Sequence, residues 1–377
     1  MRFIDANYIE YQPTKWLTYD DVMLIPQHSR LTSRNDPQIN LSTPLTSVSS
    51  MSLPIISANM DTITEADMAI AMGRAGGYGI LHRFYRTKHE NPMDAFLADI
   101  RKIHAAGIVP AFSVGLNPED FKAIDAVLGI TGKAVVCVDV AHGDQDQVFK
   151  HIRKIALAYP NLVQIIGGNV ATPAGVETLV RAGCHAVKVG IGGGSMCSTR
   201  IMTGHGVPNL SAIMQCRRAL MGMQSNAALI ADGGIRTAGD IVKALAAGAN
   251  SVMVGRLLAA TDETPGPYYE QHIEQYEEVP PQEAKGMDNI PSFWLKKYRG
   301  QSSAEFNQEL GKEVAAEGVS TFVEYQGSVI SILKELTGGI RSGLTYSGAK
   351  NLTDLHNRAT FLETSHAGLM ESHPHGA

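Results

Sequence analysis

From residue 54 onward, short apolar runs alternate with longer segments of helical periodicity. The runs are Pro54–Met60, Tyr78–His82, Val109–Gly115, Ala134–Ala141, Val163–Val170, Ala186–Gly192, Ala227–Gly234 and Ser251–Arg256. Their length and β-branched content read as buried strands. The stretches between most of them, such as Glu65–Arg74 and one ending near Ala106, read as helices. Alternating β and α units favour a parallel sheet. Eight of them predict an α/β chain folded as one (β/α)8 barrel over residues 1–377, with its active site where the strands end.

Polar and glycine residues fall at those ends: Asn59 and Asp61, His82, Asp139 and His142, Asn169, Asp232 with Gly233 and Gly234, and Gly255 with Arg256. Asp61 and Thr62 read equally well as a helix start. The sixth run leads into Gly190-Ile191-Gly192-Gly193-Gly194-Ser195-Met196-Cys197-Ser198-Thr199-Arg200. Its four glycines let the backbone approach a ligand without Cβ clashes, and one thiol sits among hydroxyls. That arrangement suits covalent chemistry, although a loop of this kind in isolation also fits a glycine-rich turn with an incidental cysteine. Cys137, Cys184 and Cys216 are scattered, with neither metal-ligand nor disulfide spacing.

Residues 1–50 read as irregular, with one apolar stretch, Leu17–Pro26. After the eighth run the pattern breaks into a segment at about 262–325 rich in Glu, Gln, Pro and Lys. Loops that long are often lids, so a mobile flap is expected there. A helix at Val329–Leu336 and a glycine-rich piece, Gly338–Gly343, then close the barrel, and the His-containing tail is only a weak metal signal. A net charge of −5 offers no basic face for nucleic acid. No apolar run reaches the roughly 18 residues of a membrane span, and Met1-Arg2-Phe3-Ile4-Asp5 lacks a signal-peptide core. A cytoplasmic location with reduced thiols is expected.

Leu17-Thr18-Tyr19-Asp20-Asp21-Val22, Ser57-Ala58-Asn59-Met60-Asp61-Thr62, Gly168-Asn169-Val170-Ala171-Thr172, the Cys197 loop, Ala231-Asp232-Gly233-Gly234-Ile235 and Tyr298-Arg299-Gly300 occur in this order. Together they resemble the IMP dehydrogenase/GMP reductase family, whose fold is a (β/α)8 barrel. The resemblance implies that Cys197 is the nucleophile that attacks C2 of a purine nucleotide, with Thr199 and Glu317 serving the leaving group. It implies phosphate and base contacts from Ser195, Gly233, Gly234, Gly255, Tyr298, Gly300, Gln301 and Ser302, and a hold on the ribose hydroxyls by Asp232. Arg256 departs from the small residue usual there and is a further candidate phosphate contact. Asp139, Ala141, His142 and Asn169 would lie near the nicotinamide. A monovalent cation, potassium, would be held by Gly192, Gly194 and Cys197 with Glu371, Ser372 and His373 of a neighbouring subunit, in a homotetramer.

The family has two branches. The dehydrogenase oxidises IMP with NAD and hydrolyses the adduct to XMP; the reductase displaces ammonia from GMP and reduces the adduct with NADPH. The chain has room for one helix between its second and third runs, where typical dehydrogenases carry paired CBS modules. It has no arginine between Arg299 and Arg341, whereas the dehydrogenase flap carries an arginine that activates water. The C-terminal Glu371-Ser372-His373 and the stretch Gly343–Lys350 are dehydrogenase-like. The chemical requirement favours a GMP reductase using NADPH. The alternative is an IMP dehydrogenase without CBS modules, using NAD. A purine-nucleotide-binding protein without catalysis is the remote third.

Overall fold

The computed structural model describes residues 3–5, 15–272, 275–284, 291, 293–311 and 313–373. Eight parallel strands close into a barrel: β1 (Ile55–Ser57), β2 (Tyr78–Leu81), β3 (Ala111–Val114), β4 (Ala134–Asp139), β5 (Val163–Val170), β6 (Ala186–Val189), β7 (Ala228–Asp232) and β8 (Ser251–Val254). Closure is through β8 on β1, with Val252, Met253 and Val254 opposite Ile55, Ile56 and Ser57. Eight helices lie around it: α1 (Ala66–Arg74), α2 (Pro92–Ala105), α3 (Glu119–Thr131), α4 (Asp146–Ala158), α5 (Pro173–Ala182), α6 (Asn209–Gly222), α7 (Ala238–Ala246) and α8 (Val329–Ser347). The sequence marks several of their ends. Thr172 accepts from Gly175 N ahead of Pro173, and Gly183 closes α5 in the left-handed region, as caps of these types do.

Side chains alternate between two cores, as strand periodicity demands. Ile56, Ile80, Val135, Ile166, Ile230 and Met253 fill the barrel. Outward residues such as Ile55, Leu81, Val136, Val187 and Leu229 pack under the helices. Most barrel strands are shorter than the apolar runs because the last residues of those runs turn into the loops; β5 spans its whole run. After β6 the turn is abrupt, since a Cβ on Gly190 would collide with the Asp232 carbonyl.

One expectation is corrected and one extended. Residues 1–50 are not wholly irregular. Thr43–Thr46 and Ser49–Met51 form a hairpin whose Leu45 and Met51 plug the barrel interior. Phe3–Asp5 and Val22–Leu24 flank Thr360–Glu363 in a second small sheet. The helix expected at Val329–Leu336 runs on through Gly338–Gly343 to Ser347. The reason is packing. A Cβ at Gly339 would strike Ala238 and one at Gly343 would come within 2.6 Å of Val242, so the glycines let α8 press onto α7.

The segment expected as a flap carries an antiparallel sheet: β9 (Tyr268–His272), β10 (Gln275–Glu278), β11 (Leu295–Arg299) and β12 (Ser320–Glu324), in the order β10-β9-β11-β12. Tyr298 and Val323 of this sheet seal against Ile63, Ala259 and Ala260 of the barrel rim. The buried Arg299 fixes the sheet to the barrel. It donates from Nε and Nη2 to Asp61 Oδ2 at 3.0 and 2.6 Å, and from Nη1 and Nη2 to Glu309 at 2.6 and 2.8 Å. Breaking a buried pair by removing one partner costs about 3–5 kcal/mol. Arg299→Met is therefore expected to lower stability by about that amount in urea titrations. A loss below about 1 kcal/mol would show that the fork holds nothing.

Candidate active site

At the C-terminal mouth of the barrel lies a cavity of about 540 Å3. Its walls are the Gly190–Cys197 loop, the ends of β1, β2, β4, β5 and β7, and the flap residues Gly300, Gln301, Ser302, Asn307, Val314, Ala315, Glu317 and Gly318. The cysteine loop and the flap are stitched together. Ser198 N donates to Glu317 O at 2.8 Å, Val319 N to Met196 O at 3.0 Å, and Glu317 N to Ser302 O at 2.9 Å. A Cβ on Gly300 would lie 2.9 Å from Met196 O, so this close approach requires glycine.

The stitching brings three reactive groups into line. The exposed Cys197 thiol donates to Thr199 Oγ1 at 3.2 Å, and Thr199 Oγ1 donates to Glu317 Oε2 at 2.8 Å. A proton can pass from sulfur to carboxylate, or back, through one hydroxyl. The other three cysteines are buried, where desolvation pushes each thiol up, Cys137 and Cys216 to about 12. Only Cys197 faces the cavity.

Beside the thiol, Ser195 Oγ lies 3.2 Å from Tyr298 OH. A Cβ at Gly255 would sit 2.8 Å from the same phenol, and one at Gly233 would sit 3.0 Å from Gly194 N. These backbones converge on one small space lined by amides and hydroxyls, the type of cradle that holds a phosphate. Asp232 caps β7, taking Asn169 Nδ2 at 2.8 Å. Asp139 caps β4. Burial alone would raise its carboxyl, but the Lys188 ammonium at 2.6 Å and hydrogen bonding from Asn59 hold it below the usual carboxylate range.

A profile described as IMP dehydrogenase / GMP reductase domain matches residues 16–375 of this chain. The chain belongs to the IMP dehydrogenase/GMP reductase family. The IMP dehydrogenase of Nitrosopumilus maritimus is 33% identical over an alignment of 476 residues covering 95% of this chain and 98% of the relative. The IMP dehydrogenase of Borreliella burgdorferi is 35% identical over 409 residues, covering 95% and 96%. Among solved structures, a GMP reductase variant from Trypanosoma brucei in complex with guanosine 5'-monophosphate superposes with a TM-score of 0.80 at 28% identity, covering 97% of this chain and 98% of that one. The family's members are purine-nucleotide oxidoreductases, so the chain is an enzyme of that class. No helix among the described residues is long and apolar enough to cross a membrane.

Most family positions read from the sequence meet in the cavity, including Cys197, Thr199, Glu317, Ser195, Asp232, Gly233, Tyr298, Gly300, Gln301, Ser302, Asp139, Ala141 and Asn169. Three do not. His142 is exposed and outside the wall, because the chain turns inward at Gly143, whose amide donates to Asn169 O at 2.7 Å. Arg256 is exposed at the start of a 3-10 turn that buries Leu258 instead; only its charge reaches Tyr298. Gly234 packs on Asn209 and Tyr19 behind the wall. Gly255 touches the site through Tyr298.

The potassium set is not assembled within the chain. Glu371 ends a short helix, His366–Glu371, beside the Tyr19–Asp21 turn. Ser372 and His373 bond back to Gly368 O and Leu369 O. At the loop itself Gly194 O already accepts from Cys197 N. The Arg200 guanidinium serves Val207 O at 2.6 Å and Ile191 O at 3.3 Å. The chain supplies loop carbonyls only, and no chemical step is assigned to a cation.

Two charged wall residues escaped the sequence reading. Arg83 follows the β2 end and lies over the Phe84 ring at 4.6 Å. Lys188 sits inside the barrel. Its signal was present as a lone charge in the apolar run Ala186-Val187-Lys188-Val189. His82, by contrast, is structural. Its Nδ1 accepts from Phe84 N at 3.0 Å, which leaves Nε2 to donate to Glu65 at 3.0 Å. Burial would raise the Glu65 carboxyl, yet His82 and Lys88 bring it down to about 2 from an ordinary 4.5. A depressed carboxylate contributes stability that is present above its unfolded value and lost as pH falls toward the folded one. Unfolding free energy should therefore fall between pH 4.5 and about 2, and Glu65→Gln should flatten that slope in acid titrations. An unchanged slope would remove Glu65 from the account.

Proposed function

We propose that this chain is a GMP reductase. It would convert GMP to IMP and ammonia at the expense of NADPH, through a covalent adduct on Cys197. The observation that carries the reading is the relay of Cys197, Thr199 and Glu317 beneath a flap that has no arginine after Arg299.

Thr199 and Glu317 accept the thiol proton as sulfur bonds to C2 of the base. The same proton then returns through Thr199 Oγ1 to the exocyclic amine as the C2–N bond breaks, so ammonia leaves and a thioimidate remains. Reduced nicotinamide, when bound, supplies a hydride to C2. The C2–Sγ bond then breaks, Cys197 recovers its thiolate and IMP is released. Asp232 accepts from the ribose hydroxyls, and Ser195, Tyr298 and the Gly233 turn hold the phosphate. Asp139 and Asn169 flank the nicotinamide. Hydrolysis of the same adduct would need a base to activate water. Losing a positioned proton-transfer group typically costs about 10²–10⁴ in rate, so an efficient dehydrogenase is disfavoured.

The second reading, IMP dehydrogenase, has one specific support: the curated relatives at 31–35% identity carry that name. Chromatographic product analysis separates the two. Formation of IMP and ammonium from GMP and NADPH supports the reductase; formation of XMP from IMP and NAD would replace it with the dehydrogenase.

A further inference from the structure

Lys188 occupies a position that packing alone does not explain. Strand alternation sends Val187 and Val189 outward to the helices and Ala186 and Lys188 inward. The lysine is 2% exposed, in an interior otherwise filled by Ile, Val and Met. A buried ammonium is costly unless it is paired. Its Nζ donates to Asp139 Oδ1 at 2.6 Å and to Asp232 Oδ2 at 3.4 Å. These carboxylates end strands on either side of β5 and β6, and each faces the cavity. Asn169 secures Asp232 a second time, and bonds Gly190 O at 2.8 Å. Asn59 secures Asp139, and Arg83 adds charge on that side. The remaining neighbour, Cys137, is a buried thiol.

One cation thus serves two partly buried carboxylates at the cavity wall, whose like charges are both held close to the same ammonium. We propose that Lys188 is a positioning residue that holds Asp139 and Asp232 in one shared ionic clamp, so that the nucleotide and cofactor subsites depend on the same ammonium. The proposal rests on the reading of Asp232 as the ribose group and Asp139 as the cofactor-side group. Without the lysine the two carboxylates repel one another, and neither keeps its orientation as an acceptor.

The test is calorimetric binding of GMP, 2′-deoxy-GMP and NADPH to protein carrying Cys197→Ala, so that no turnover occurs. Adding Lys188→Met should weaken GMP and NADPH by about tenfold or more each, equivalent to about 1.4 kcal/mol apiece. The preference for GMP over its 2′-deoxy form should shrink with them. Adding Asp139→Asn to Lys188→Met removes the opposing carboxylate, and should restore most of the GMP affinity but not the NADPH affinity. A lysine that served only as packing would give no such recovery, so a double variant no better than the single one overturns the clamp. So does unchanged binding in Lys188→Met. Should Lys188→Met not fold, Lys188→Arg decides: a parallel loss of GMP and NADPH affinity supports the clamp, and loss of neither or of only one overturns it. Failure of the Cys197→Ala protein with Lys188 intact to bind any purine nucleotide would instead overturn the functional reading, and the clamp with it.

Discussion

Cys197→Ala is expected to abolish turnover while nucleotide binding persists. Removing the nucleophile from a catalytic set that acts as a unit costs about 10⁴-fold or more, because the later steps have no adduct to act on. The thiol contributes little to the fold. It is exposed, and its side chain makes one hydrogen bond, to Thr199. The variant should keep its melting temperature and bind GMP within about threefold of the parent. Residual turnover above about 1% would show that the chemistry does not pass through Cys197.

Glu317→Gln is the second large effect, and it should fall unevenly on the two chemical steps. Glutamine keeps the shape and can still meet Thr199 Oγ1, but it cannot carry the proton. Release of ammonia from GMP should slow by about 10²–10⁴. The hydride step, followed in reverse from IMP and NADP, needs no amine to be protonated and should slow at least about tenfold less. Stopped-flow absorbance for the hydride and ammonium assay for the amine separate them. Equal losses in both steps would mean that Glu317 works only by deprotonating Cys197, and the leaving-group role would fall.

The barrel was legible because its evidence is repetitive. Eight apolar runs with polar residues at their ends leave few other architectures, and the active face follows from topology. The linear order of motifs was legible for the same reason, and residues from five of the six converge on one cavity. What escaped was set by contacts distant in sequence. Nothing local reveals that Gly339 and Gly343 face α7, so the helix reading stopped at Leu336 where close packing carries the helix to Ser347. His142 and Arg256 sit three and two residues beyond strand ends, where a single turn decides between cavity and solvent. Lys188 escaped although its signal is local. A lone charge in an apolar strand run requires a partner, but Asp139 and Asp232 lie 49 and 44 residues away. The flap sheet was hidden by its composition, since Glu- and Lys-rich strands such as Gln275–Glu278 carry little apolar periodicity.

The most direct test of the central claim is absorbance at 340 nm with purified protein, run in both directions. One cuvette holds GMP and NADPH; the other holds IMP, NAD and potassium. The account predicts a fall in the first that Cys197→Ala abolishes, and a flat trace in the second. A steady rise in the second cuvette with none of the first signal would contradict it, because some other group would then be activating water in place of the missing flap arginine.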